Sequence, residues 1–209
     1  GMNSALTPWM YSKIKKGDIR SMRKVLQLLS VVVVGIAVAL MLISPELVLI
    51  FGSPKYREAV YVIPPVAASV FFIFIYNILS MPQFYYEKTQ FLMAASMAAA
   101  GANVVLNFIF IRLFGYIAAG YTTLACYMLY SVGHYIVSKR ILVNEGIQEN
   151  LMSPGFLVAC SVFLIGASII CNLIFPYRIL RYAILLASAG LVFWKKELLL
   201  KTMADIRKK

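Results

Sequence analysis

Polar side chains inside apolar runs are where this sequence could do chemistry, and there are few of them. Between Ala94 and Thr123 the chain reads AASMAAAGANVVLNFIFIRLFGYIAAGYTT, with Asn103, Asn107 and Arg112 set among small and branched apolar residues. Ala95, Ala99, Asn103 and Asn107 recur every four residues, so on a helix they form one inclined stripe, small at one end and hydrogen-bonding at the other. In lipid such a stripe faces a second helix, because small side chains let two backbones approach and a buried amide finds there the partner that hydrocarbon lacks. Two roles fit the amides: glue between helices, or contact with a polar substrate. Two also fit Arg112, which attracts a phosphate if it faces a cavity and snorkels to the headgroups if it does not. Tyr85 stands next to Tyr86 and reads either as an interfacial aromatic or as a platform for a sugar, and the same holds for Tyr56 and Tyr61.

Catalysis has little to work with. An enzyme acting at membrane depth needs carboxylates or histidines there, and only His134 qualifies, as a histidine hydrogen-bonded between helices or as a proton relay. Asp18 and Asp205 lie in polar flanks, and no P-loop, HExxH or GxSxG occurs. No enzymatic activity, catalytic residue or cofactor is therefore expected. Cys126, Cys160 and Cys171 all fall in apolar runs without CxxC spacing, so they read as free thiols, with neither a disulfide framework nor a metal site.

The elements that must hold these residues are long apolar helices. Hydrophobic residues make up 62% of the chain and charged ones 13%, and the mean hydropathy is +0.83, far from the roughly half apolar, quarter charged make-up of a soluble domain. The net charge of +12 raises nucleic acid as a partner, but the basic residues sit in the gaps between apolar runs, so the bilayer is the expected partner and nucleic acid is not. The first residues are not an apolar run behind a basic start, so no secretory signal is expected there.

In order along the chain, residues 1–24 hold six of the basic residues and read as a cytoplasmic connector, closed by Gly17 and by Asp18 as the cap of a helix starting at about Ile19. Residues 25–140 read as four transmembrane helices. The first uncharged run, Val25 to Ile43, spans about 28 Å at 1.5 Å per residue, close to the roughly 30 Å of a hydrocarbon core. Ser44-Pro45-Glu46 opens a short interfacial helix ended by Gly52. The second run, Ala59 to Met81, contains Pro64-Pro65, which remove backbone donors and predict a kink, static or acting as a hinge. The third and fourth runs, Thr89 to Ile111 and Leu113 to Ser138, form a hairpin with a tight turn at Gly115-Tyr116. Residues 141–153 are a cytoplasmic loop, 154–194 hold two further transmembrane helices, and 195–209 are a cytoplasmic amphipathic tail. With six spans, the side of the two termini carries fifteen Lys and Arg against five on the other, so both termini are expected in the cytoplasm.

The hairpin also carries a resemblance. Asn103, Leu106 and Asn107, followed by Phe114-Gly115 and the small patch Ala118-Ala119-Gly120, resemble the polysaccharide flippases of the multidrug/oligosaccharidyl-lipid/polysaccharide exporter superfamily, which more often has Gly-Ala-Ala in the last three places. Ser44-Pro45-Glu46, Phe51-Gly52, Tyr56, Asn77, Gln83 and Lys88-Thr89 extend the likeness over roughly residues 6–140. The resemblance implies an all-α, polytopic protein of a bacterial cytoplasmic (inner) membrane, and a chain that is the C-terminal part of a two-lobed flippase, keeping about six of its twelve to fourteen helices. It implies passage of a polyprenyl-diphosphate-linked oligosaccharide across the membrane for surface polysaccharide or lipopolysaccharide synthesis, with the N-terminal lobe as an intrachain partner. Arg112, Asn103, Asn107 and Tyr85 are then the substrate-facing candidates, and Pro64 and Pro65 the hinge. A drug/cation antiporter, a peptidoglycan-precursor flippase and a non-transporting scaffold subunit are the alternatives.

Overall fold

The computed structural model describes residues 2–52 and 54–194. Among these the chain is helical throughout: α1 (Met2–Lys15), α2 (Ile19–Leu42), α3 (Ser44–Phe51), a 3-10 segment over Pro54–Tyr61, α4 (Ile63–Tyr85), α5 (Gln90–Phe114), α6 (Ala118–Asn144), α7 (Pro154–Ile174) and α8 (Arg178–Trp194). Four of them, α2, α4, α5 and α7, are long and apolar enough to cross a membrane. Helix α6 is longer, 27 residues, with His134, Lys139 and Arg140 in its second half, and α8 has 17.

Helix α4 is the axis of the bundle. Fifteen of its residues are buried, among them Phe71, Phe72, Ile75, Ile78 and Leu79, because α1, α2, α6 and α7 all pack around it. A helix apolar on every side is stable only when it is enclosed in this way. Helix α5 is the opposite case: it rests mainly on α6 and has no buried residue.

Several boundaries fall where local chemistry sets them. Asp18 caps α2 through Ser21 N–H at 3.3 Å and also pairs with Lys13, fastening the α1–α2 turn. Helix α3 begins at Ser44, whose hydroxyl bonds back to the Met41 carbonyl at 2.7 Å instead of capping the helix, with Pro45 and Glu46 in its first turn, and Gly52 ends it. At Gly115 the backbone takes φ 75° and ψ −179°, a region open in practice only to glycine, so the α5–α6 turn depends on that residue.

Two expectations change. Residues 1–24 are more than a polar connector: Leu6, Trp9, Met10 and Ile14 form one face of α1 and are buried in the core, as are Ile19 and Met22 at the start of α2. The kink at Pro64-Pro65 is absent, since both prolines stand in the first turn of α4, where a missing N–H costs nothing. They open a helix, and the backbone leaves helical geometry earlier, at Tyr56 within the 3-10 segment (φ −103°, ψ 18°). The proline inside α4 is Pro82, within a turn of its end.

The connections gather at two opposite ends. At one end Tyr11 packs edge-on to Tyr85 at 5.3 Å, Lys88 pairs with Glu145 at 2.7 Å, and Arg23 bonds the carbonyl of Asn150 at 2.7 Å. At the other, Tyr116 donates to Glu58 at 3.2 Å, Tyr61 lies 5.7 Å from Phe175, and Arg181 pairs with Glu46 at 2.7 Å. Helices α2, α4, α5, α6 and α7 each run from one end to the other, and α8 starts at the second end, where Arg181 holds it to Glu46. The stretch 195–209 read as an amphipathic tail lies outside the described residues.

Candidate functional site

The small-and-amide stripe of α5 does face a neighbour. Ala95, Ala99, Asn103 and Asn107, with Phe91, Leu92 and Leu106, are the half-buried positions of α5, and the remainder of the helix is exposed. The face is turned to α6. Asn107 Nδ2 donates to Asn103 Oδ1 at 2.9 Å, which leaves Asn107 Oδ1 to accept the hydroxyl of Thr122 at 2.5 Å; that hydroxyl also lies 3.0 Å from the carbonyl of Ala119. One amide thus ties a neighbour on its own helix to a hydroxyl on the next. A cavity of about 460 Å³ lies beside the tie, lined by Leu106, Phe110, Phe114, Ile117, Tyr121 and Thr122.

The geometry favours helix pairing for this relay. Replacing Asn107 by Leu should cost more than replacing Asn103, because Asn107 is bonded on both sides, and interhelical bonds of this kind contribute on the order of 0.6–2 kcal/mol. Protein yield and detergent stability read the difference. An Asn103→Leu variant as stable as the parent but inactive would instead make Asn103 a substrate contact.

The other candidates are not brought to this relay. Arg112 is exposed, its guanidinium 3.9 Å from the centre of the Phe108 ring one turn back, a cation–π arrangement that holds the charge over the outer face of α5. Tyr85 is half-buried at the opposite end of the bundle, between Tyr11 and Tyr86. Pro65 meets the hairpin from another side: Gly120 lies so close to it that a Cβ there would stand 2.8 Å from Pro65 Cγ and 3.0 Å from the Val62 carbonyl. The patch Ala118-Ala119-Gly120 is therefore where α6 closes on the start of α4.

Two polar arrangements have no counterpart in the motifs. His134 is fully buried, with Nδ1 2.7 Å from Gln83 Nε2 on α4 and the rings of Tyr76, Phe91 and Tyr130 around it at 5.8, 5.5 and 4.5 Å. This joins α4 to α6 through an amide and an imidazole, the hydrogen-bonded role open to the histidine from sequence. The second is the pair Arg181–Glu46. Arg181 Nη1 and Nη2 meet Glu46 Oε2 and Oε1 at 2.7 and 2.8 Å, Nη1 also donates to the carbonyl of Leu42 at 2.6 Å, and the Tyr182 hydroxyl donates to Glu46 Oε1 at 3.0 Å. Leu42 is the last residue of α2, so the guanidinium sits at the negative end of that helix as well as on a carboxylate. The bond from Arg181, with smaller help from the Tyr182 hydroxyl, overcomes partial burial and holds the Glu46 carboxyl at about 2, well below its usual value.

Among the described residues no group of three or more His, Cys, Asp or Glu side chains is arranged to hold a metal ion. No family model, curated protein or solved structure matches the chain.

Proposed function

We propose that this chain is six-span membrane part of a polysaccharide flippase, acting in a bacterial cytoplasmic membrane on a polyprenyl-diphosphate-linked oligosaccharide. Helices α2, α4, α5, α6, α7 and α8 are the spans, and both termini face the cytoplasm. The observation that carries the reading is α5: a helix of membrane length with no buried residue, fixed to the bundle by the amide relay, with its whole outer face and Arg112 open to a further lobe or to lipid. The resemblance of the same hairpin to the flippases supplies the substrate class. Alternating access between two lobes moves a polar headgroup without a continuous pore.

Arg112 tests this reading. In a strain lacking the transporter, the full-length gene should restore surface polysaccharide, and Arg112→Ala should abolish export at normal expression if the guanidinium meets the diphosphate. Arg112→Lys should recover part of it, keeping the charge and losing the bidentate fork. Wild-type export by the alanine variant would leave Arg112 as a membrane anchor.

A further inference from the structure

A second cavity, of about 190 Å³, lies between α4, α6 and α7 and is lined by Phe72, Ile75, Val132, Tyr135, Leu157 and Val158 among others. Its serines are turned away from any ligand. Ser131 Oγ lies 2.9 Å from the carbonyl of Phe72 and 2.8 Å from that of Tyr127, and Ser161 Oγ donates to the carbonyl of Leu157 at 2.8 Å. A wall whose hydroxyls are already bonded to backbone suits hydrocarbon better than sugar or water. The cavity opens sideways, because Val132 and Val158 are 56% and 62% exposed. It is a slot facing the region that lipid chains would occupy.

One end of the slot is charged. Pro154, the first residue of α7, lines it, and four residues earlier the backbone carbonyl of Asn150 accepts, at 2.7 Å, from Nε of Arg23. Its guanidinium keeps 28% of the side chain open and meets an acid, Glu149, only at 4.0 Å. An apolar slot that reaches inward from a partly open cation has the shape and charge pattern of an anionic lipid: a chain along α7 and a phosphate at the guanidinium. From Pro154 to Ser161 the slot follows about 10 Å of helix, enough for the upper part of an acyl chain.

We propose that this groove seats one acyl chain of an anionic glycerophospholipid whose phosphate rests on Arg23. The site needs the bundle to lie in a membrane but does not depend on what the protein transports.

Native mass spectrometry of the full-length protein with dimyristoyl phosphatidylglycerol or the matching phosphatidylcholine tests it. The parent should retain phosphatidylglycerol about fivefold better, the preference worth one arginine at a lipid surface. Arg23→Gln should bring the ratio to about one, Arg23→Lys should keep most of it, and Val158→Trp, on the exposed rim, should lower retention of both lipids. If Arg23→Gln does not fold, the Lys and Trp variants decide. Equal retention of the two lipids by the parent would overturn the proposal, as would an unchanged ratio in Arg23→Gln or unchanged retention in Val158→Trp. Displacement of phosphatidylglycerol by an equal concentration of a polyprenyl phosphate would also overturn it, by making the groove a seat for the transported lipid.

Discussion

Glu46→Ala should destabilise the protein more than Arg181→Ala, although both remove the same ion pair. Arg181 is 3% exposed and Glu46 23%, so losing the acid leaves a guanidinium in the interior with only the Leu42 carbonyl, whereas losing the base leaves a carboxylate that water and Tyr182 can reach. Stranding a buried charge costs roughly 3–5 kcal/mol, which for a chain of this size is on the order of 10 °C in Tm. Arg181→Ala should cost less, and the double variant Glu46→Leu/Arg181→Met should recover most of the loss, since no charge then stays behind. Thermal unfolding in detergent reads the order. Equal losses from the two single variants would contradict it.

The same pair fixes a pH dependence. Because the folded-state carboxyl is held at about 2 against an ordinary 4.5, its stabilisation is fully present above about pH 4.5 and fades as the pH falls toward 2. A displacement of that size corresponds to about 3 kcal/mol. The parent should therefore lose stability over that window, and Glu46→Gln should lose less over the same range.

Gly120→Val should be the most damaging single change in the hairpin. A Cβ at this position meets Pro65 Cγ at 2.8 Å, the Val62 carbonyl at 3.0 Å and Val62 Cγ1 at 3.2 Å, and two of these contacts belong to backbone or a rigid ring that cannot turn aside. Helix α6 would have to back away from the start of α4. Overpacking of this kind costs about 1–3 kcal/mol, with Gly120→Ala at the low end and the branched valine at the high end or beyond. The measure is folded yield and Tm. Parent-like stability of the valine variant would mean that the two helices do not approach so closely.

What could be read in the sequence was what is local in it. Asp18 before Ile19, Pro45-Glu46 in the first turn of α3, and Gly115 are signals written within a few residues, and each stands where local chemistry puts it. The α5 stripe was legible because an i, i+4 repeat of small and amide residues has one geometric meaning on a helix. Other features depend on distance. Nothing near Arg181 shows that its partner is Glu46, 135 residues earlier, or that His134 meets Gln83 on another helix. Pro64-Pro65 were misread because the uncharged run starts at Ala59 while the helix starts at Ile63; the same prolines bend a helix from inside and open one from its first turn. Leu6, Trp9, Met10 and Ile14 do lie at helical spacing, but the basic residues that follow them pointed to a solvated connector, and the packing of α1 on α4 decided otherwise.

The proposed six-span arrangement is tested most directly by cysteine accessibility in intact cells. In a cysteine-free full-length background, single cysteines at Lys55, Tyr116 and Arg178, all exposed at one end of the bundle, should react with an impermeant thiol reagent added outside. A cysteine at Glu145, exposed at the opposite end, should react only after the membrane is opened. Labelling of Glu145 from outside, with Lys55, Tyr116 and Arg178 protected, would contradict the orientation; labelling of Tyr116 and Glu145 together would mean that α6 does not cross.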